Sequence, residues 1–145
     1  MWIGVLVLAL AAVPLRAPAS VSIAGGGFTS NAPTQTGAAV ILSSGAPVPE
    51  VPLELQGSLF VPLTGKGGYA ATAEIRGFTG GGYGGAYVGA GAGIGTLSSD
   101  GSSGTVFTVF AGKSIAPLTT VELRLYKQTQ AAGATAGFVG LRFSF

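Results

Sequence analysis

The sequence predicts an all-β chain: an eight-stranded antiparallel up-and-down transmembrane β-barrel. Three observations predict it. The 145 residues have a positive mean hydropathy of +0.59 and are only 8% charged, where roughly 25% is usual for soluble domains. Past the N-terminus no apolar run approaches the ~18 residues of a spanning helix. An apolar chain without such a run is expected when lipid-facing residues are diluted by inward ones at every second position. The last stretch shows that alternation directly. Val139, Leu141, Phe143 and Phe145 fall on one face, and Phe138, Gly140, Arg142 and Ser144 on the other, because strand side chains switch faces at each residue.

The chain opens with an address. Trp2 to Leu15 is apolar, and Arg16-Ala17-Pro18-Ala19-Ser20 follows. Ala17-Pro18-Ala19 has the small-x-small form of a signal peptidase site. Residues 1–19 are expected to be a signal peptide cleaved after Ala19, although its n-region lacks Lys and Arg. Residues 20–145 are then expected to form one barrel domain, exported by the Sec route.

Clusters of Gly, Pro, Asn, Asp and Ser divide the mature chain, and these residues favour turns. The breaks are Asn31–Gln35, Gly45–Glu50, Thr64–Gly68, Thr79–Gly82, Ser98–Gly104, Ala116–Leu118 and Thr129–Gly133. They leave eight segments: Ser20–Phe28, Thr36–Ser44, Val51–Leu63, Tyr69–Phe78, Tyr83–Thr96, Thr105–Ile115, Thr119–Gln128 and Ala134–Phe145. A tilted membrane strand needs ~9–11 residues, which these lengths match. An even number closes antiparallel with both termini on one side, and closure leaves no unpaired edge.

Facing follows segment by segment. The first, second and sixth segments are apolar or small on both faces, so alternation leaves their facing open. In the third, Leu53, Leu55 and Leu59 oppose Glu54, Gln56 and Ser58. In the fourth, Tyr69, Ala71, Ala73 and Ile75 oppose Thr72, Glu74 and Arg76. In the fifth, Gly89, Gly91, Gly93 and Gly95 share one face and Val88, Ala90, Ala92 and Ile94 the other. Alternating Gly weakens a strand, but it leaves inward room for long neighbours such as Arg76, Arg124 or Tyr126. In the seventh, Val121, Leu123 and Leu125 oppose Glu122, Arg124 and Tyr126. The eighth turns Arg142 inward.

The expected lumenal charges are therefore Glu54, Glu74 and Glu122 against Arg76, Arg124 and Arg142. A basic residue facing lipid costs roughly 2–4 kcal/mol at mid-bilayer, and a buried charge must be paired and hydrogen-bonded. An eight-stranded barrel is just wide enough to be filled by side chains. A structural network of ion pairs is the expectation, ahead of a conducting pore.

The same composition bounds the chemistry. With no cysteine and no histidine, the chain lacks the usual general base, a thiolate nucleophile and the common soft metal ligands. Asp100 is its sole aspartate, in a Gly/Ser loop. The sequence predicts no catalysis, cofactor or metal. A net charge of +2 without a basic run leaves no electrostatic footprint for nucleic acid. Gly89 to Gly95 has no strand–loop–helix context for phosphate.

At this point the chain resembles the small outer-membrane β-barrel superfamily that includes the OmpA transmembrane domain and OmpX-type proteins. Ala86-Tyr87-Val88-Gly89-Ala90-Gly91-Ala92-Gly93-Ile94-Gly95 resembles that family's "PYVGAGxG" strand, with Ala86 in place of Pro. Ala116 to Tyr126 resembles its periplasmic turn and "LxLexRY" strand, with Leu125 where an aromatic residue is common. Val139, Leu141, Phe143 and Phe145 resemble the C-terminal signal read by the barrel assembly machinery. The resemblance implies outer-membrane lipid as surroundings, periplasmic chaperones and that machinery as partners in biogenesis, and a monomer. Three alternatives stay open: a surface adhesin or ligand-binding barrel, a narrow porin-like channel, and a soluble lipocalin-like binder.

Overall fold

A computed structural model describes residues 20–31, 34–65, 68–79, 85–97, 102–129 and 134–145. The expected signal segment, Ala32 and Pro33, Lys66 and Gly67, most of the breaks at Thr79–Gly82 and Thr129–Gly133, the first four residues of the Ser98–Gly104 break, and Tyr83 and Gly84 lie outside them. Eight strands follow in order: β1 (Ser20–Asn31), β2 (Thr34–Pro47), β3 (Leu53–Pro62), β4 (Ala70–Phe78), β5 (Ala86–Gly95), β6 (Gly104–Ala116), β7 (Thr119–Gln128) and β8 (Thr135–Ser144). Each pairs antiparallel with the next, and β8 returns to β1 to close the barrel. Ile23 pairs with Phe143 at that seam, and the Phe145 amide donates to the Val21 carbonyl at 2.9 Å.

Several boundaries differ from the sequence reading, and β5 starts at Ala86 rather than at Tyr83. β1 and β2 run on to Asn31 and from Thr34, where a five-residue break is expected, because their ladder continues to the Asn31–Thr34 pair. β2 also absorbs Gly45-Ala46-Pro47, which pair with Gln56, Leu55 and Glu54 of β3. Pro47 is tolerated because it ends the strand. The chain then turns through Pro49 and Glu50, so β3 starts at Leu53 rather than Val51.

The strands are strongly staggered. From Ser30 on β1, paired residues run through Ala136, Tyr126, Thr108, Gly91, Glu74, Gln56 and Gly45. The circuit ends at Ser20 on β1, a stagger of ten residues. With ~3.3 Å per residue and ~4.8 Å between strands, that tilts the eight strands by roughly 40°, within the ~35–45° of closed barrels. Tilted strands of about ten residues span an apolar band of ~25 Å.

Burial alternates along the strands, interrupted at Gly57 of β3 and at Ala71 of β4, which are buried although their parity is outward. It settles the three open facings. Ser22, Ala24 and Phe28 of β1, Ala39, Ile41 and Ser43 of β2, and Val106, Thr108 and Phe110 of β6 are buried. Val21, Ile23, Leu42, Phe107 and Val109 cover the outside. The interior is layered. Phe60 packs on Phe28, Tyr126 and Phe138, with ring centroids 5.9, 5.0 and 6.5 Å away, in the half remote from the termini. Leu97 and Ala134 join that apolar layer. Gln128 bonds to residues following β5 and preceding β6, accepting from the Leu97 amide at 2.8 Å and donating to the Ser102 carbonyl at 2.9 Å.

The glycines of β5 face inward, and what fills their space differs from the sequence reading. A Cβ at Gly89 would meet the Phe110 ring at 2.2 Å, and one at Gly91 would meet Glu74 Cγ at 2.6 Å. Phe110 occupies the room because it sits on the adjacent strand, paired with Gly89. Arg124 comes next, its guanidinium 4.1 Å above the Phe110 ring centroid.

Candidate functional site

The six expected lumenal charges lie on four of the strands. Glu54 is the second residue of β3, Glu74 and Arg76 lie on β4, Glu122 and Arg124 on β7, and Arg142 on β8. All six are buried. They form two connected groups. Near the termini, Arg76 Nη2 donates to Glu54 Oε1 at 2.6 Å. The two residues are paired across β3 and β4, so register alone brings them together.

The deeper group centres on Arg124, which is fully buried. Its Nη1 and Nη2 donate to Glu74 Oε1 and Oε2 at 2.5 and 3.2 Å. Its Nε donates to Glu122 Oε1. Arg142 Nη1 donates to Glu122 Oε2 and Arg142 Nη2 to Gln56 Oε1, both at 3.0 Å. Gln56 passes the chain on to Glu74 Oε2 at 2.5 Å. Glu74 also accepts from Ser58 at 2.9 Å and Thr72 at 2.7 Å. A fork-like guanidinium suits such bidentate pairing. Burying these ions is tolerable because the carboxylates are saturated with donors.

Aromatic rings complete the arrangement. Tyr87 donates its hydroxyl to Glu122 Oε2. The Arg76 guanidinium lies 4.6 Å from the Tyr87 ring centroid and 4.8 Å from that of Phe78, and Arg142 lies 5.8 Å from Tyr87. These are cation–π distances. Sequence reasoning did not single out Tyr87, Gln56, Thr72 or Phe110 as members. Gln56 and Thr72 share strand parity with the charges beside them. Tyr87 shares parity with Gly89 to Gly95, and that was the available signal.

The C-terminal row sits elsewhere. Val139, Leu141 and Phe143 are exposed on the outer wall, and Phe145 is 77% exposed beyond the end of β8. The row makes no contact with the lumenal charges, because it occupies the opposite strand face. The outer wall carries charge only near its rims among the described residues: Lys113 close to the end of β6 and Lys127 close to the end of β7. Long lysine stems let the ammonium reach water from such positions. Among the described residues no three His, Cys, Asp or Glu side chains converge as a metal site.

This combination of closed wall, apolar exterior and charged interior has solved counterparts. The fold is that of a transmembrane β-barrel. The chain is similar to Neisserial surface protein A, with a TM-score of 0.58 at 10% identity, covering 87% of this chain and 95% of that one. It is similar to a barrel from the de novo design of transmembrane β-barrels, with a TM-score of 0.57 at 9% identity over 90% and 98% of the two chains. It is also similar to Ail, the attachment invasion locus protein of Yersinia pestis, solved with the heparin analogue sucrose octasulfate. There the TM-score is 0.56 at 14% identity, over 88% and 97%. No family model matches the chain, and no curated protein matches it significantly. At these identities the likeness is one of fold.

Proposed function

We propose that this protein is a small integral outer-membrane β-barrel with a side-chain-filled lumen, a structural or surface role and no catalysis. The carrying observation is the segregation of the two strand faces. Leu55, Ile75, Leu123, Leu125 and Val139 are half or more exposed, while Glu122 and Arg124 are wholly buried. In water that arrangement wastes apolar surface and strands ions inside; in lipid it is the favourable one. The similarity in fold to Neisserial surface protein A and to the attachment invasion locus protein of Yersinia pestis supports the same location.

Export through the Sec route with loss of residues 1–19, insertion by the barrel assembly machinery, and a monomeric state belong to this reading. The aromatic layer around Phe60 supports a lumen that does not conduct. Two measurements test it. Unboiled protein is expected in the outer-membrane fraction and to migrate differently on a gel from boiled protein. Planar bilayers carrying it are expected to show background conductance. A monomer soluble without detergent would favour a lipocalin-like binder, and steady single-channel currents would favour a narrow pore.

A further inference from the structure

Glu54 is the least engaged of the three lumenal carboxylates. Glu74 is held by Arg124, Gln56, Ser58 and Thr72, and Glu122 by Arg124, Arg142 and Tyr87. Among the described residues Glu54 accepts from Arg76 alone. An ionised carboxylate has about four lone-pair sites, and burial makes unused ones costly. Glu54 is buried, yet it lines a cavity of about 200 Å³ at the end bearing both termini. Its carboxylate leans towards β1. Gly45 of β2 is diagonal to Glu54 across the β2–β3 ladder, and a Cβ there would meet Glu54 Oε1 at 2.6 Å. The carboxylate therefore fills the space that a side chain at Gly45 would take. Gly45 in turn pairs with Ser20, and directly paired residues have Cβ positions ~4.5–5.5 Å apart. Ser20 shares the inward parity of Ser22 and Ala24 and lines the same cavity. The first nitrogen of the barrel thus stands one strand from Glu54.

We propose that cleavage after Ala19 gives Glu54 a second cation, the α-ammonium of Ser20. The proposal rests on the processing set out above. In the uncleaved chain the Ser20 nitrogen is a neutral amide with one proton to donate. Hydrolysis breaks the C–N bond between Ala19 and Ser20. The hydroxyl of water goes to the Ala19 carbonyl carbon and its hydrogen to the Ser20 nitrogen. The new acid on Ala19 releases the proton that the amine takes up, and near neutral pH such an amine is mostly protonated. One carboxylate between two cations is already the pattern deeper in the lumen, where Glu122 pairs with Arg124 and Arg142. Processing thus fastens β1 to β3 across Gly45. The terminal carboxylate of Phe145 is the competing partner, since the Phe145 amide bonds to the Val21 carbonyl. Phe145 is largely exposed, whereas Glu54 is buried, so water and salt screen the Phe145 carboxylate far more.

The test uses the mature chain purified from membranes. Intact mass first shows whether it begins at Ser20. Periodate then oxidises the amino alcohol of an N-terminal serine and replaces its ammonium with an aldehyde. Urea unfolding, read by gel migration, is compared before and after oxidation in the wild type and in Glu54→Gln. Oxidation is expected to lower the folded-to-unfolded ratio of the wild type by about fivefold, the scale of a well-placed, partly exposed ion pair. It is expected to leave Glu54→Gln unchanged. No loss in the oxidised wild type overturns the ion pair. An equal loss in Glu54→Gln overturns Glu54 as the partner and assigns the ammonium to the Phe145 carboxylate. Should Glu54→Gln not fold, a Gly-Gly insertion between Ala19 and Ser20 keeps the cleavage site and moves the ammonium away. It is expected to lower the unfolding midpoint as oxidation does, and an unchanged midpoint overturns the pair. A mass showing any other first residue overturns the processing instead, and the ammonium at Ser20 with it.

Discussion

Arg124 on β7 meets Glu74 on β4 across the lumen at 2.5 Å, although fifty residues separate them in sequence. No ladder joins these strands. Closure and stagger bring the two side chains to one level. The pair therefore reports whether the whole barrel has closed, whereas Arg76 and Glu54 need only a correct β3–β4 register.

That difference gives the first prediction. Glu74→Gln leaves a fully buried guanidinium short of one countercharge and is expected to destabilise the barrel by about 3–5 kcal/mol. Combining it with Arg124→Met is expected to cost less than the two single changes added together, since they share one network. Urea unfolding in detergent or lipid, read by gel migration, measures both. Strict additivity would show that the bridge is not coupled.

Leu123 lies at the middle of β7 and is 54% exposed. Leu123→Arg is expected to cost about 2–4 kcal/mol in a bilayer, while Lys127→Ala on the same face near the rim is expected to change stability little. For a barrel standing in water the first change would be close to neutral. Equilibrium unfolding in phospholipid bilayers distinguishes the two cases.

Glycine positions differ in what a methyl group would meet. At Gly93 it would lie 1.8 Å from the Ala71 carbonyl oxygen, while at Gly25 nothing lies within 4 Å. Gly93→Ala must push β4 and β5 apart and is expected to destabilise by at least ~1–3 kcal/mol, the range for overpacking. Gly25→Ala is expected to be neutral or to stabilise by ~0.4–1 kcal/mol through the unfolded chain. Paired unfolding curves check the order.

Leu118 turns the chain between β6 and β7 with φ of 60°, a conformation that suits glycine. Leu118→Gly is expected to raise stability by up to about 1 kcal/mol, the lower end of such backbone strain. A lower unfolding midpoint would indicate that the exposed Leu118 side chain contributes more by its contacts than its backbone costs.

The end of the chain separates assembly from stability. Phe145 is 77% exposed, whereas Arg142 is buried and bonded to Glu122 and Gln56. Deleting Phe145 is expected to impair membrane insertion more than Arg142→Gln does, and Arg142→Gln is expected to lower the unfolding midpoint more. An assembly assay run beside an unfolding titration reads both, and equal effects in each would count against this division of roles.

The sequence by itself determined the strand count, the seven breaks to within a few residues, and the inward facing of Glu54, Glu74, Arg76, Glu122, Arg124 and Arg142. The reason is that a charge among alternating apolar residues marks its own face, and the next residue must then face the other way. It could not mark the facing of β1, β2 and β6, because Phe28, Ile41 and Phe110 are apolar on strands whose other face is apolar too. Nor could it show the aromatic layer around Phe60. A lumenal Phe and a lipid-facing Phe satisfy the same pattern when both surroundings exclude water. Only the tertiary structure decided which charges meet. Pairing across the lumen depends on the ten-residue stagger of the closed wall, a property of the whole circuit of eight strands that no single strand encodes. The same stagger set Tyr87 against Glu122, a consequence of closure rather than of local propensity.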